Sequence, residues 1–215
     1  APYKLATSPN GNGGWFSSLK NAGLLDLIHE NGIEWLNVFA VDNVLQRIAD
    51  PCFIGATITE NRSVGAKVVC KNHPDEKVGV MCLKDNHPSI VEYYELTPEL
   101  RDAVDEDGEP AYNFGVILNY LFKESELEDI CENTLPLHIV EKKIPYIDDA
   151  GTLIKPEEPN GYKFETLILD MIQMMDTCLP FEVERDKEFA PIKNKTGIDS
   201  VESARALLAK NGVTL

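Results

Sequence analysis

Segments with helical spacing of hydrophobic residues alternate with segments of extended spacing along the chain. The spacing over residues 15–30 predicts one helix, which Asn31 and Gly32 end as a C-cap would. Residues 34–41 are predominantly hydrophobic and predict a buried strand, and a helix is predicted over 43–49. A strand between two helices is typical of an α/β layer structure, which is the predicted fold class.

The middle of the chain carries more strand signals. Residues 66–71 and 77–83 flank a short polar connection and predict a hairpin. Residues 90–96 and 112–118 predict two further strands, and the acidic segment 105–110 between them predicts an exposed turn.

The last third returns to alternation. A capping box at 125–128 predicts a short helix that ends near residue 132. Hydrophobic residues at helical spacing predict another helix over 164–175, and a strand follows at 181–184. A final helix is predicted from about 200 to 210. The chain contains no internal repeat, so a solenoid or array is not expected.

Length and charge exclude several functional classes. The 215 residues suffice for one large domain or two small ones. With 20 Lys and Arg against 36 Asp and Glu, the formal net charge is −16, which disfavours non-specific binding to nucleic acid or anionic lipid. No run of about 18 apolar residues predicts a membrane span. Because the sequence begins at Ala1 without an initiator Met, we expect either processing or, more simply, a piece of a longer chain.

The cysteines and histidines predict neither a disulfide framework nor a zinc site. Five cysteines form no CxxC pair, and their odd number favours reduced, packed thiols in a cytoplasmic protein. Four histidines are scattered without metal-ligand spacing.

Two segments could contact a phosphate ligand. The glycine-rich run 10–14 precedes a helix and would let backbone approach a ligand closely, but such a run also suits a flexible turn. Asp42 follows a hydrophobic strand, at the sheet edge where ligands bind in open α/β folds. It could hold Mg²⁺, or it could cap the following helix, and composition does not separate these roles.

Two lysines and one acidic segment extend the candidate site. Lys163 follows a turn, and Lys193 lies near a strand end, so each could bind phosphate or be an ordinary surface charge. As part of a strand, Glu92 and Tyr94 would face one side and Tyr93 the other. Glu92 could then accept hydrogen bonds from sugar hydroxyls, or the segment could be a polar edge strand.

These segments, in this order, resemble the UDP-sugar pyrophosphorylase family, particularly its UDP-N-acetylglucosamine pyrophosphorylase branch. The matching stretches are NGNGG (10–14), FAVDNVL (39–45), ADPCFIG (49–55), GAKVV (65–69), VGV (78–80), VEYYE (91–95), HIVEKKIPYID (138–148), LIKPEEPNGYKFE (153–165) and EFAPIKN (188–194).

The resemblance implies a nucleotidyltransferase. Its fold would be a mixed, mostly parallel, Rossmann-like sheet with helices on both faces and β-hairpin insertions. Residues 1–195 would form the C-terminal half of the catalytic domain, and 196–215 a terminal helical segment. The implied reaction joins UTP and a hexose 1-phosphate to give a UDP-sugar and pyrophosphate, with Mg²⁺ as cofactor.

The resemblance also implies roles on the nucleotide and phosphate side. Gly11 would lie against the uridine, and Asp42 would bind Mg²⁺ near the phosphates. Lys163 would contact the nucleotide phosphates, and Lys193 the phosphate on the sugar side.

The implied sugar pocket contains residues of three segments. Its expected substrate-binding residues are Asn12, Glu92, Tyr93, Asn113 and Gly115.

Two departures from the family pattern affect these expectations. Val116 stands where N-acetylglucosamine enzymes carry a sugar-binding Asn, so glucose, galactose and N-acetylglucosamine 1-phosphates all stay open. The family's glycine-rich nucleotide loop is absent, so we expect the fragment to be inactive or very feeble. A non-catalytic UDP-sugar binding module and, further behind, a UDP-sugar-dependent glycosyltransferase are the alternatives.

Overall fold

A mixed six-stranded sheet flanked by short helices forms the centre of the fold. The computed structural model describes residues 5, 7–130 and 134–214. The helices are α1 (Trp15–Asn21), α2 (Leu25–Glu30), α3 (Pro51–Thr59), α4 (Pro98–Arg101), α5 (Glu124–Ile130), α6 (Ile168–Gln173), α7 (Arg185–Glu188) and α8 (Val201–Lys210). The strands are β1 (Trp35–Phe39), β2 (Val64–Cys70), β3 (Val80–Lys84), β4 (His87–Val91), β5 (Phe114–Lys123), β6 (His138–Lys142), β7 (Tyr146–Ile147), β8 (Leu153–Ile154), β9 (Gly161–Glu165) and β10 (Cys178–Glu182).

Strand β5 is the middle of the sheet. β2 pairs along one edge of β5, whereas β1 and β3 pair with successive parts of its other edge. β10 and β4 extend the sheet outwards from β2 and β3. Because hydrophobic residues continue beyond Leu118, β5 runs on to Lys123, well past the predicted end of this strand.

The mixed α/β fold is confirmed, but the strand directions differ from the prediction. Among the strands that the structure describes, β10 with β2 is the one parallel pair, so the expectation of a mostly parallel sheet is wrong there. Segments 66–71 and 77–83 form no hairpin, because β5 lies between β2 and β3. Hydrophobic periodicity identifies a strand but not its neighbour. Insertions do occur, as the antiparallel ribbons β6–β9 and β7–β8.

The two faces of β2 pack against different helices. Val64, Ala66 and Val68 belong to a large buried cluster that includes residues of α1, α5 and α6. On the opposite face, a Cβ on Gly65 would lie 2.5 Å from Thr57 Oγ1 of α3. The alternation of side chains along the strand therefore puts helices on both faces of the sheet, as predicted.

Two predicted helices are wrong in their extent. The helix predicted over 15–30 is split into α1 and α2, because Gly23 adopts a φ of +70° between them. Residues 43–49 form turns rather than a helix. Asp50, rather than Asp42, is the N-cap of the next helix, α3. The capping role considered for Asp42 is therefore excluded.

Other boundaries also shift. β4 ends at Val91, so residues 92–95 form a turn instead of continuing the strand. The box at 125–128 lies inside α5, which begins one residue earlier, and the predicted end near 132 lies outside the described residues. The predicted helix over 164–175 shortens to α6, because its first residues belong to β9. Strand β1 is half-buried rather than buried.

The cysteines that the structure describes are all free thiols. Cys52 and Cys70 are exposed, so the prediction of packed thiols is wrong for these two. Cys131 lies outside the described residues. In the part of the chain that is described, no helix combines the length and apolar character that crossing a bilayer requires. The cytoplasmic location stays a prediction.

Candidate functional site

A cleft of about 300 Å³ opens where β5, the end of β1 and the segment after α7 meet. Its walls are largely apolar and include Val78, Val116, Ile117, Leu118, Tyr120, Leu167, Ile168, Leu169, Phe189 and Pro191. The predicted site residues that line it are Asn12, Asp42, Glu92, Tyr93 and Lys193. Few polar groups in an apolar hollow are typical of a small-molecule site.

Asn43 joins the two segments that form one wall of this cleft. The buried Asn43 side chain donates through Nδ2 to the Glu188 carbonyl at 2.7 Å. The carbonyl of Asp42, the residue before Asn43, accepts a hydrogen bond from the Ile192 amide at 3.0 Å. These bonds hold two segments that are distant in sequence side by side, and they explain why Asp42 and Lys193 reach the same cleft.

The described residues offer no hydrogen-bond or ion-pair partner to the four charged side chains that line the cleft. These residues are Asp42, Lys77, Glu92 and Lys193. By contrast, Lys67 and Lys163 both pair with carboxylates. Unpaired charges that line a cavity are available to ligand groups of opposite charge, such as phosphate oxygens for lysine.

Glu92 lies beside Gly79 in the cleft. The position of a Cβ on Gly79 would be 3.7 Å from Glu92 Oε2 and 3.4 Å from Val116 Cγ2. Tyr93 follows in the turn, 42% exposed, with its ring edge-on to Tyr94 at a centroid distance of 5.2 Å. A carboxylate next to an isopropyl group suits a ligand that presents both a hydroxyl and a C–H surface.

The charge of Glu92 is set by its surroundings. Burial raises the pKa of the Glu92 carboxyl, and the nearby charge of Glu95 raises it further. His138 and Lys193 act in the opposite direction and favour the ionised form. Glu92 and Lys193 are therefore electrostatically coupled across the cleft.

The glycine-rich run 10–14 packs against the connection between β9 and α6. Gly11 has a φ of +89°, and a Cβ there would overlap the Thr166 carbonyl. Asn12 Oδ1 accepts a hydrogen bond from the Ile168 amide at 2.9 Å, which leaves its Nδ2 donor for the cleft. Packing therefore accounts for the glycine at position 11, independently of any ligand.

A second cavity of about 560 Å³ adjoins the first. Gly11 and Trp15 line it, and Asn12 and Asp42 line both cavities. The two hollows therefore share a boundary at Asp42. A ligand with two parts joined by a charged linker would match this arrangement.

Lys163 does not line the cleft. It lies on β9 against a separate cavity of about 540 Å³, together with Lys142 and Tyr162. Its Nζ is 2.5 Å from Glu165 Oε1. Of the three residues expected to contact the metal or the phosphates, Asp42 and Lys193 line the cleft and Lys163 does not.

Asn113 and Gly115 also lie outside the cleft lining. Asn113 Oδ1 accepts a hydrogen bond from the Lys71 amide at 2.9 Å and so closes the end of the β2–β5 pair. A Cβ on Gly115 would lie 2.8 Å from Val78 Cγ2, so a larger residue here would press against the segment that precedes β3. The structure gives both residues a local architectural role.

Asn43, Lys77 and Gly79 belong to the cleft but were not predicted. Asn43 adjoins Asp42, yet its partners lie more than a hundred residues further along the chain, so no local pattern reveals the contact. Lys77 has the appearance of an ordinary surface lysine. Gly79 occurs within the VGV stretch that carries part of the resemblance, which is the one signal that could have directed attention to it.

The residues around Asp42 fit a magnesium ion. Its carboxylate has no competing partner in the described part of the chain and lies at the boundary of the two cavities. Mg²⁺ is commonly bound by one or two carboxylates together with substrate phosphates and water. A single carboxylate at the boundary of the two cavities is compatible with that requirement.

Another group of potential ligands lies on a different surface. Atoms of His29, Glu124 and Glu128 approach within 4.8 Å of one another. His29 Nε2 is 3.0 Å from Glu124 Oε1, and this hydrogen bond raises the pKa of His29. The expectation that the chain holds no zinc stays untested.

The profile of the UTP–glucose-1-phosphate uridylyltransferase family matches residues 2–214. The chain belongs to this family. The match confirms the resemblance that the sequence motifs suggested, and it extends over almost the whole length given.

Relatives and a solved structure agree with this assignment. The mouse (Mus musculus) UDP-N-acetylhexosamine pyrophosphorylase-like protein 1 is 41% identical over 214 residues, which cover 97% of this chain and 42% of the mouse protein. The Saccharomyces cerevisiae UDP-N-acetylglucosamine pyrophosphorylase is 38% identical over 224 residues, 99% of this chain and 46% of the yeast protein. A Trypanosoma brucei UDP-N-acetylglucosamine pyrophosphorylase in complex with inhibitor superposes with a TM-score of 0.81 at 27% identity, over 94% of this chain and 42% of that one. This chain therefore spans less than half the length of these relatives.

Proposed function

We propose that the chain forms the sugar 1-phosphate side of a uridylyltransferase, which makes a UDP-sugar and pyrophosphate from UTP and a hexose 1-phosphate. The observation that carries this proposal is that unpaired Asp42 and Lys193 share one cleft with Glu92. A metal-binding carboxylate, a phosphate-binding ammonium group and a hydroxyl acceptor are the groups that a UDP-sugar requires. Membership of the family supports the same reaction class.

In the proposed reaction, an oxygen of the sugar phosphate forms a bond to the α-phosphorus of UTP, and the bond to pyrophosphate breaks. Lys193 would donate charge-assisted hydrogen bonds to the sugar phosphate. Asp42 would hold Mg²⁺, which when bound neutralises charge on the phosphate oxygens. Positioning and charge neutralisation are the main contributions that a protein makes to this chemistry.

The sugar would occupy the end of the cleft formed by Glu92, Tyr93 and Val116. Glu92 would accept a hydrogen bond from a hydroxyl, and Val116 would pack against carbon atoms of the ring or of a substituent. Val116 cannot make the hydrogen bond that an Asn would make there. We propose N-acetylglucosamine 1-phosphate or glucose 1-phosphate as the substrate, and the free cysteines favour action in the cytoplasm.

Calorimetric titration of the chain with UDP-N-acetylglucosamine, UDP-glucose and UDP-galactose, each with and without MgCl₂, tests the proposal. We expect Mg²⁺-dependent binding of at least one of the first two. Failure of all three to bind would remove the proposed site.

A second candidate is a non-catalytic UDP-sugar binding module. It is favoured by the position of Lys163, which lies outside the cleft and is paired with Glu165. This candidate predicts the same binding without pyrophosphate release from UTP and hexose 1-phosphate. A coupled pyrophosphate assay on the same preparation separates the two.

A further inference from the structure

A buried group of three charged residues lies behind the cleft wall. The Lys67 side chain in β2 is 0% exposed, and its Nζ is 2.8 Å from Asp50 Oδ2 and 2.5 Å from Glu188 Oε2. Both carboxylates are also buried. Burial alone would raise the pKa of Asp50, but hydrogen bonds from Lys67 and from the Cys52 amide outweigh it and hold the pKa below its ordinary value. None of these three side chains lines the cleft.

Such a group is unusual on a central strand. Moving charges out of water is costly, and replacement by apolar residues is often neutral or stabilising. A buried lysine between two carboxylates is therefore a poor way to obtain stability alone. Its geometry is specific, however, because Lys67 connects three separate elements: β2, the cap of α3 at Asp50, and α7 at Glu188.

Hydrogen bonds, joined by short stretches of backbone, connect this group to the cleft wall. Glu188, which Lys67 holds by its side chain, accepts from Asn43 Nδ2 at 2.7 Å through its backbone carbonyl. Asn43 Oδ1 accepts from the Ala190 amide at 2.8 Å. The Ile192 amide then donates to the carbonyl of the residue before Asn43 at 3.0 Å.

We propose that Lys67 is a positioning residue, which through Glu188 and Asn43 holds Asp42 and Lys193 at the separation that the ligand requires. Lys67 touches no ligand in this account. The inference rests on the proposed function for the identity of the ligand, but the positioning of the wall can be tested without one.

Native-state hydrogen exchange of the 215-residue protein tests the positioning directly. The measured quantity is the ratio of the exchange rates of the Ala190 and Ile192 amides to those of the amides in β2 and β5. In Lys67→Met, we expect this ratio to rise about tenfold. The matched control is Leu127→Ala, because Leu127 is equally buried but belongs to the cluster on the opposite face of the sheet. The control should destabilise the whole protein without changing this ratio. The proposal would be overturned if this ratio of exchange rates rose no more in Lys67→Met than in Leu127→Ala.

If Lys67→Met does not fold, Glu188→Ala replaces it. This variant removes the carboxylate that both Lys67 and Arg47 contact, but it keeps the backbone carbonyl that Asn43 uses and leaves Lys67 paired with Asp50. The proposal expects the same selective acceleration at Ala190, and unchanged protection there would contradict it.

A double-mutant cycle on ligand binding tests the link to Lys193. The probe is UDP-N-acetylglucosamine with MgCl₂, followed by calorimetry. We expect Lys67→Met to weaken binding about tenfold in the native background and less than twofold with Lys193→Ala, since coupled residues are not additive. An equal effect in both backgrounds would overturn the role. If the native protein bound no UDP-sugar, the proposed function would fall, and the exchange ratio alone would decide the positioning role.

Discussion

Replacing Gly79 by alanine should separate ligand binding from stability. A Cβ at this position would lie 3.1 Å from Ile90 Cγ2, 3.4 Å from Val116 Cγ2 and 3.7 Å from Glu92 Oε2. The methyl group would therefore enter the cleft beside the carboxylate that is proposed to hold the sugar. Because Gly79 does not need a positive φ and the nearest atom belongs to a side chain rather than to the backbone, the fold should tolerate the change once Ile90 shifts by a few tenths of an ångström.

The expected sizes of the two effects differ. A hydrogen bond to a charged group is worth about 1.5–3 kcal/mol, so displacing the sugar from Glu92 should weaken binding roughly ten- to hundredfold. The change in unfolding free energy should stay within about 1 kcal/mol, because restriction of the unfolded chain offsets the local crowding.

The matched control is Gly55→Ala. Gly55 lies in α3, where a Cβ would meet no atom within 4 Å. Alanine there should stabilise the protein by up to about 1 kcal/mol and leave binding unchanged. Calorimetry with UDP-N-acetylglucosamine and MgCl₂ gives the affinities, and urea unfolding gives the stabilities. A Gly79→Ala protein that binds within twofold of the native one would refute the placement of the sugar beside Glu92.

Three further predictions address the charged residues. Asp42→Ala should abolish the dependence of UDP-sugar binding on Mg²⁺ without lowering the melting temperature, since the carboxylate has no hydrogen bond or ion pair with any described residue. Binding that still responds to Mg²⁺ would show that Asp42 does not hold the metal. Lys193→Ala should weaken hexose 1-phosphate binding more than UTP binding. Lys163→Ala should leave both affinities within about twofold of the native values. A calorimetric titration with the reverse ranking would contradict the assignment of Lys193 to the sugar phosphate. The pKa of His29 in the folded protein should lie above its ordinary value of 6.5. The contribution of His29 to the free energy of unfolding is therefore complete below pH 6.5 and is lost as the pH rises through the folded pKa. NMR titration checks this, and Glu124→Gln should return the pKa towards 6.5; an unchanged pKa would rule out the hydrogen bond as the cause.

Segment positions were largely predictable from the sequence, whereas pairing was not. The hydrophobic segments around 34–41, 66–71 and 112–118 all became strands, because extended runs of apolar residues bury one or both faces. Which strands pair depends on contacts between distant segments, and this is why β5 could not be placed between β2 and β3 from periodicity. The split between α1 and α2 was readable in principle, since Gly23 is a helix-breaking signal.

The residues of the candidate site were also predictable only in part. The motifs located Asp42, Glu92 and Lys193, because each lies at the end of a strand or in a turn where polar residues stand out against apolar neighbours. The sequence could not separate Lys193 from Lys163, because only the fold decides which lysine turns into the cleft and which pairs with a neighbouring carboxylate. Asn43 and Lys67 both form hydrogen bonds with Glu188, far along the chain, so no local pattern could reveal these contacts.

A crystal structure of the chain with UDP-N-acetylglucosamine and MgCl₂ would show where the diphosphate binds. We expect density for the diphosphate between Asp42 and Lys193, with the metal on the Asp42 carboxylate and the sugar against Glu92. A diphosphate bound elsewhere, for example on Lys163 and Lys142 of the β6–β9 ribbon, would contradict this expectation.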